Sequence, residues 1–179
     1  MTKCDKMTET FLIRAAQPND LDDVDALLRR SYPALLKESY PPSTHVTAIP
    51  LIAKAQPRLL ATGTYFVVLD GETIVGAGGW TRGAPTGGRQ ALRDVGHIRH
   101  VVTDHQRVRQ GIGRRLMSYV VATAQEAGIR ELECLSTLMA VPFYEALGFR
   151  QLGPVTLNLR AGVTFPAVQM HRQLQSASR

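Results

Sequence analysis

The spacing of apolar residues in the first third of the chain predicts a strand, then a helix, then an irregular segment. The run FLIRAA at 11–16 predicts the strand. After Pro18-Asn19-Asp20, leucines and a valine recur every three or four residues through about Arg30, which predicts a helix with acidic residues in its first turn. Five prolines interrupt the pattern between 31 and 58, so we expect short helices separated by turns at the surface.

The rest of the chain alternates predicted strands and helices bounded by glycine-containing turns. Asp70-Gly71 is a hairpin signal between two β-branched or apolar runs, and Gly128 and Gly148 follow helical patterns in the position typical of a helix end. The stretch 83–88 is rich in glycine and proline and is predicted to be a loop. The predicted strands cover 65–69, 73–80, 95–103, 131–135, 149–158 and 164–170, and the predicted helices cover 113–127 and 140–147.

This order, β-α-α-β-β-β-α-β-α-β-β, predicts an α/β fold with one mixed, mostly antiparallel sheet and helices on both faces. The strand–helix–strand unit at 95–135 should form a right-handed parallel crossover. A length of 179 residues without repeats or long linkers predicts a single domain over 11–173, between a disordered tail at 1–10 and a second tail at 174–179. Pro166 favours an edge or a bulge for the last strand, and an edge strand is open to pairing in a homodimer.

Charge and composition narrow the classes of partner. The net charge of +6 favours an anionic partner: nucleic acid, a membrane surface or a polyphosphate-bearing cofactor. Basic residues do not interleave with aromatic residues, which argues against a reader of single-stranded nucleic acid. No segment has the length of a membrane span or the pattern of a signal peptide, so we expect a cytoplasmic location without membrane attachment. Cys4 and Cys134 form no CxxC or Cys/His cluster, and we expect no metal.

The sequence Gly111-Ile112-Gly113 predicts an anion site at the start of a helix. Glycines let the backbone turn tightly and approach a ligand, and the first amides of a helix lack intrahelical partners at its positive end. A pyrophosphate is the natural occupant, with Arg107, Arg109 and Arg114 adding positive charge. The turn is neither a P-loop nor a dinucleotide-binding fingerprint. A tight turn that only packs the helix on the sheet is the alternative interpretation.

The segments RQGIGRRLM at 109–117 and AVPFYEALGFR at 140–150, in this order along the chain, together resemble the GCN5-related N-acetyltransferase (GNAT) superfamily. RQGIGRRLM at 109–117 is similar to the family's phosphate-binding signature, Q/R-x-x-G-x-G/A, which opens the long helix after strand four. AVPFYEALGFR at 140–150 is similar to its Tyr-x-x-Leu-Gly-Phe pattern. The chain departs from the signature at its first position, where Val108 stands between two arginines.

The resemblance implies a GNAT-like fold and an N-acetyltransferase that moves an acetyl group from acetyl-CoA to a primary amine, on a small molecule or a protein, by direct attack in a ternary complex. Strands four and five would splay apart, so that the main chain of Val101, Val102 and Thr103 pairs with the pantetheine arm. The amides of Arg109, Gln110, Gly111, Ile112, Gly113 and Arg114 would hold the pyrophosphate. A non-catalytic acyl-CoA sensor of the same fold is the alternative, favoured by Val108.

The resemblance also implies catalytic roles. Tyr144 occupies the position that commonly protonates the departing sulfur, a role that suits a neutral phenol; the alternative is a packed aromatic residue. His97 falls where many members carry a glutamate, and a histidine there could act as the base or be a strand residue without a catalytic part. Strict alternation would place His97, Arg99, Val101 and Thr103 on one face.

Other residues keep two interpretations. Ser136 and Thr137 could contact the cofactor or cap the next helix, with the cap favoured. The resemblance implies an acceptor pocket built from 31–58, where Tyr32, Tyr40 and His45 stand out, together with Trp80, Arg82 and the hairpin 153–165. Tyr32 and Tyr40 could line a pocket for a small amine or could be aromatic residues that only pack the short helices.

Overall fold

The computed structural model describes residues 11–84, 93–160 and 162–175. The expected tail at 1–10, residues 85–88 of the predicted loop and residues 176–179 lie outside these ranges. In chain order the elements are β1 (Leu12–Ala15), α1 (Leu21–Leu35), α2 (Pro42–Thr47), α3 (Ile49–Ile52), α4 (Pro57–Leu60), β2 (Tyr65–Asp70), β3 (Thr73–Thr81), β4 (Val95–Thr103), α5 (Ile112–Glu126), β5 (Glu131–Ser136), α6 (Val141–Ala146), β6 (Arg150–Arg160) and β7 (Val163–Gln173).

The seven strands form one sheet in the order β1-β2-β3-β4-β5-β7-β6. Every neighbouring pair is antiparallel except β4 and β5, which are parallel and are joined through α5. This arrangement confirms the predicted mixed, mostly antiparallel sheet with a parallel crossover. Parallel neighbours need a long connection, which is why the helix at 112–126 separates these two strands in the sequence.

Helices α1 and α5 cover opposite faces of the sheet. In β2, Phe66 and Val68 belong to the core cluster that contains the apolar face of α5, whereas Val67 and Leu69 belong to the cluster under α1. Because both faces of β2 are covered, its sequence is apolar throughout instead of alternating. A third cluster joins Leu36 to the hairpin of β6 and β7.

The first helix is longer than the sequence predicts. The apolar periodicity predicts an end near Arg30, but α1 continues through Pro33 to Leu35. The amide of Leu36 donates to the carbonyl of Tyr32 at 2.9 Å, which closes the last turn. Leu36 is buried in the third core cluster, and this burial holds the turn that proline weakens.

The expectation that the last strand is an edge is wrong, because β7 lies between β5 and β6. Its pairing with β5 stops at Val168, which faces Ser136, so Pro166 lies in a part of β7 that pairs only with β6. The missing N–H of proline is therefore tolerated where β5 has already ended. The edges of the described sheet are β1 and β6, and the basis for predicting a homodimer through the last strand is lost.

Strand β4 contains a bulge that the sequence pattern does not reveal. Gly79 of β3 faces Arg99, but Ala77 faces Val102, so β4 has one extra residue between these pairs. His100 occupies this position with φ 42°, in the left-handed region that non-glycine residues seldom adopt.

The bulge reverses the alternation of side chains along β4. Ile98 and Val101 both pack in the α5 cluster although they are three residues apart. His97 pairs with Glu133, which lies between two residues of the α5 cluster in β5, so both point to the other face. The alternation predicted for β4 is therefore wrong, because the bulge keeps one face of the strand from carrying all of His97, Arg99, Val101 and Thr103.

Candidate functional site

A cleft opens where β4 and β5 separate. Residues 95–97 of β4 pair with residues 131–133 of β5, and among the described residues the ladder between them ends there. A cavity of about 650 Å³ lies beyond this point. Its walls include 100–103 of β4, 111–114 at the start of α5, 134–137 at the end of β5, and Tyr144 of α6. The splay expected from the resemblance is thus present in the backbone.

Eight of the nine residues expected at the cofactor line this cavity, and Gln110, which is exposed, does not. The eight are Val101, Val102, Thr103, Arg109, Gly111, Ile112, Gly113 and Arg114. Only 101–103 and 109–114 are involved, two short segments on either side of one turn. The expected cofactor contacts therefore come from neighbouring parts of the chain.

The start of α5 has the properties of an anion-binding helix end. Gly111 precedes the helix in the left-handed conformation, with φ 80°. In the described part of the chain, α5 has neither a side-chain cap nor an acidic residue in its first turn. A Cβ at Gly113 would lie 3.2 Å from the Phe143 ring and 3.4 Å from Thr103. The amides at the start of α5 thus remain available to a negatively charged group that comes close to the backbone.

The arginines around the turn differ in their surroundings. Arg109, with φ 66°, and Arg114 both line the cavity, and neither forms an ion pair with another described residue. Arg107 also lines the cavity but bonds to the carboxylate of Asp70. Val108, at the departing signature position, is 46% exposed beside the cavity. Two cations without a partner carboxylate among the described residues therefore flank the uncapped helix end.

Tyr144 is held at the wall of the cavity by aromatic packing. Its ring makes edge-on contacts with Phe143 at 5.2 Å and with Phe149 at 5.4 Å. The thiol of Cys134, which also lines the cavity, lies next to the Tyr144 hydroxyl. Burial raises the pKa of Tyr144 well above its usual value, and the neighbouring thiol adds to this effect. The phenol therefore stays protonated at neutral pH and can act as a proton donor.

His97 lies in a second, smaller cavity of about 270 Å³. Its Nδ1 is 3.5 Å from a carboxylate oxygen of Glu133. Burial lowers the pKa of His97, Glu133 opposes this, and Arg99 lowers it further, so the ring is neutral at pH 7. Ile98, Cys134 and Leu135 line both cavities. The cavity that contains His97 is therefore adjacent to the cavity that contains Tyr144.

The bulge between the cavities is fixed by hydrogen bonds. The hydroxyl of Tyr65 donates to the carbonyl of His100 at 2.9 Å. The His100 ring lines the larger cavity, and its Nε2 lies 3.1 Å from the side-chain amide of Gln56. Burial lowers the pKa of His100 to about 4, with a smaller contribution from Arg99.

The remaining predicted residues divide between site and core. Ser136 and Thr137 line the larger cavity, but Thr137 has no side-chain capping bond, so the favoured cap is wrong. Tyr32 also lines that cavity. Tyr40 is buried and stacks on Phe165 at 4.7 Å.

Three other acceptor candidates lie outside both cavities. Trp80 is buried on the α5 side and donates to Thr123. Arg82 bonds to the carbonyl of Ala127. His45 bonds to the carbonyl of Leu36 and lies at a separate surface groove.

Sequence reasoning missed Glu133 and Cys134. The alternation in ELECLS shows that Glu131 and Glu133 share a face, but their alignment with β4 depends on the register of two strands far apart in sequence. Cys134 has the pattern of an ordinary apolar strand residue. Its contact with Tyr144 follows from the position of α6 and has no sequence signal of its own.

Comparison with known families agrees with this architecture. A family profile described as an acetyltransferase (GNAT) domain matches residues 46–172, well over half of the chain. The chain therefore belongs to the GNAT family, and it is an acyltransferase that uses acetyl-CoA as its co-substrate. No curated protein sequence matches the chain.

Solved structures share the fold at low sequence identity. A GCN5-related N-acetyltransferase from Rhodopseudomonas palustris superposes with a TM-score of 0.74 at 15% identity, over 92% of this chain and 96% of that one. The PaiA N-acetyltransferase from Thermoplasma acidophilum, solved with coenzyme A, superposes with a TM-score of 0.68 at 13% identity. The match covers 92% of this chain and 99% of that one. N-acetylglutamate synthase from Neisseria gonorrhoeae, solved with coenzyme A and N-acetyl-glutamate, superposes with a TM-score of 0.61 at 16% identity. The match covers 93% of this chain but only 35% of that protein.

Two kinds of feature are absent from the part of the chain that the structure describes. Among 11–84, 93–160 and 162–175, no helix has both the length and the apolar character needed to cross a membrane. Within the same ranges, no three side chains of His, Cys, Asp or Glu converge in a way that could hold a metal ion.

Proposed function

We propose that this protein transfers the acetyl group of acetyl-CoA to a primary amine, carried by a small molecule or a protein, while both substrates are bound. The observation that carries the proposal is a single cavity that contains both the uncapped start of α5 and the phenol of Tyr144. A polyphosphate site at one place and a proton donor at the other are the two requirements for binding and cleaving a CoA thioester. Residues 11–173 form the acyltransferase domain.

The cofactor site is assigned to the two segments at the cavity wall. The amides from Arg109 to Arg114 hold the pyrophosphate, and the guanidinium groups of Arg109 and Arg114 add charge. The backbone of 101–103 has no β5 partner beyond the splay, so it can pair with the amide groups of the pantetheine arm. This division explains why Val108 is tolerated: backbone groups and flanking arginines replace the missing side chain.

The reaction forms a carbon–nitrogen bond and breaks a carbon–sulfur bond. The neutral amine attacks the thioester carbonyl carbon, and the sulfur leaves with the bonding pair. Tyr144 gives its proton to the sulfur, and the attacking nitrogen loses its proton to His97, directly or through water. The products are the N-acetylated amine and free CoA. Holding both reactants in place supplies much of the acceleration.

Calorimetric titration with acetyl-CoA tests the cofactor site. Gly111→Trp should abolish binding, because the indole would occupy the space in front of the helix end. Gly128→Trp is a matched control: both glycines have φ 80° and open space where a Cβ would stand, but Gly128 lies at the far end of α5. The strain of about 1–2 kcal/mol is then common to both variants. Equal binding by the wild type and Gly111→Trp would refute the site.

Turnover separates the enzyme from an acyl-CoA sensor of the same fold. Release of free CoA thiol is followed with acetyl-CoA and a panel of amines. An increase above the rate of hydrolysis without amine supports acetyl transfer. Tight acetyl-CoA binding without release, over a broad panel, would favour the sensor.

A further inference from the structure

The small cavity beside the cofactor site has a composition that selects among amines. It is bounded by His97 of β4, Glu133 of β5, Gln169 of β7 and, on β6, Val155 and Leu157. Its volume of about 270 Å³ lies just below the range for small-molecule sites, which run from about 300 to 1,000 Å³. A molecule of this size is a small free amine; a folded protein surface would not enter it.

The charged groups of this cavity favour a cation. Glu133 is the one carboxylate in its described lining, its side chain is one-third exposed, and it faces the imidazole of His97 at 3.5 Å. The described lining contains no lysine or arginine. Arg99, further along β4, donates to the hydroxyl of Thr81 at 3.0 Å and is not part of the lining. A carboxylate on the acceptor would thus face Glu133 without a lysine or arginine among the described lining residues.

The opposite wall is apolar. Val155 and Leu157 alternate inward along β6, and Leu135 of β5 lines the same cavity. Ile98 and Leu135 also line the cofactor cavity, so a group bound here lies next to the place where the thioester is expected. An aliphatic chain would bury its surface against these side chains while its nitrogen stays near Glu133.

We propose that this cavity is the acceptor site and that its substrate is a small aliphatic primary amine without a carboxylate; this inference rests on the proposed acetyl transfer. The carboxylate of Glu133 attracts the ammonium form of the amine by charge. The ammonium loses one proton to solvent and becomes nucleophilic, and the second proton, which the nitrogen loses after attack, passes to His97. Glu133 is therefore a residue that determines specificity.

Initial rates of CoA release with three acceptors test the proposal. The acceptors are n-butylamine, 4-aminobutanoate, which has the same chain with a carboxylate, and tetra-alanine with a free N-terminus. The wild type should use butylamine best. Glu133→Gln should raise the KM for butylamine roughly 10–100-fold, the range for losing a hydrogen bond to a charged group, and should narrow the preference over 4-aminobutanoate.

Matched variants isolate the cavity. Glu131→Gln removes a carboxylate from the same face of β5, two residues away, that bonds to His171 at 3.2 Å outside the cavity, and it should leave the KM unchanged. Leu157→Trp should fill the cavity and reduce butylamine turnover while acetyl-CoA still binds.

The possible results are distinct. Preference for 4-aminobutanoate or the peptide, or equal effects of Glu131→Gln and Glu133→Gln, would overturn the acceptor assignment. No turnover of butylamine by a protein that binds acetyl-CoA would overturn it as well and leave the cofactor site standing. Failure to bind acetyl-CoA would instead count against the proposed function itself.

Discussion

The two cavities that meet at the splay of β4 and β5 are built in different ways. In the larger one, the expected cofactor contacts lie in two short segments, 101–103 and 109–114, and are made mainly by backbone groups and glycines. The described lining of the smaller one comes from Ala84 and from four strands, and sheet register brings the strand residues together. A backbone site changes little when side chains are replaced, whereas a side-chain site can acquire a new substrate through one substitution. The comparison assigns shared chemistry to the first cavity and specificity to the second.

The largest expected effect comes from Tyr144→Phe at the cofactor cavity. Removing the hydroxyl should lower kcat by about 10²–10⁴-fold, because the leaving sulfur loses its proton donor. The ring contacts with Phe143 and Phe149 remain, so the affinity for acetyl-CoA should not change. Steady-state kinetics and calorimetry measure the two quantities.

A Cys134→Ala variant is the control for Tyr144→Phe. It removes the thiol that lies next to the hydroxyl and leaves the phenol in place. We expect it to retain most of kcat. Nearly equal rates for Tyr144→Phe and the wild type would show that Tyr144 is only a packed aromatic residue.

The second prediction concerns His100, whose pKa of about 4 makes native stability depend on pH. In the unfolded chain this histidine binds a proton near pH 6.5, but in the native protein it does so only near pH 4. The contribution of the neutral His100 ring to the free energy of unfolding is therefore complete above about pH 6.5, and it is lost as the pH falls toward 4. The difference corresponds to at most about 3 kcal/mol.

His100→Asn isolates this contribution. Asparagine tolerates the left-handed conformation of the bulge and does not titrate. Urea unfolding at several pH values between 4.5 and 7.5 should show a smaller acid loss for the variant. The pKa of His97 is lowered in both proteins, so its effect on stability cancels when the variant is compared with the wild type. Parallel stability curves for variant and wild type would mean that the His100 ring is not buried from water.

The sequence predicts the cofactor side well because its features are local. Gly111 and Gly113 are adjacent to the helix they open, and Tyr144 is identified through neighbours within one short motif. The element order also leads to the mixed sheet, since turn residues and apolar periodicity are short-range signals.

The rest depends on contacts between distant segments. No local pattern indicates that His100 forms a bulge, and strict alternation therefore misplaces Val101. The pairing of His97 with Glu133 requires the register of a parallel pair separated by a helix. Pro166 favours an edge, but its position past the end of β5 gives the same local freedom inside the sheet. Long-range register thus sets the limit of prediction, and the acceptor cavity lies beyond that limit.

The smallest expected effect tests whether the two cavities are independent. Tyr40 donates to the carbonyl of Pro166 and accepts from the amide of Leu138, both at 2.9 Å, and so ties β7 to the turn before α6. Tyr40→Phe keeps the stack on Phe165 but removes both hydrogen bonds, which at about 0.5–1.5 kcal/mol each should lower the free energy of unfolding by about 1–3 kcal/mol. Tyr119→Phe, on an exposed position of α5, should change it by less than about 0.5 kcal/mol.

Because β7 contributes to the acceptor cavity, Tyr40→Phe should raise the acceptor KM and leave acetyl-CoA affinity as it was. A parallel loss of acetyl-CoA affinity would show that both cavities depend on one support, and the division between a constant cofactor side and a variable acceptor side would then fail.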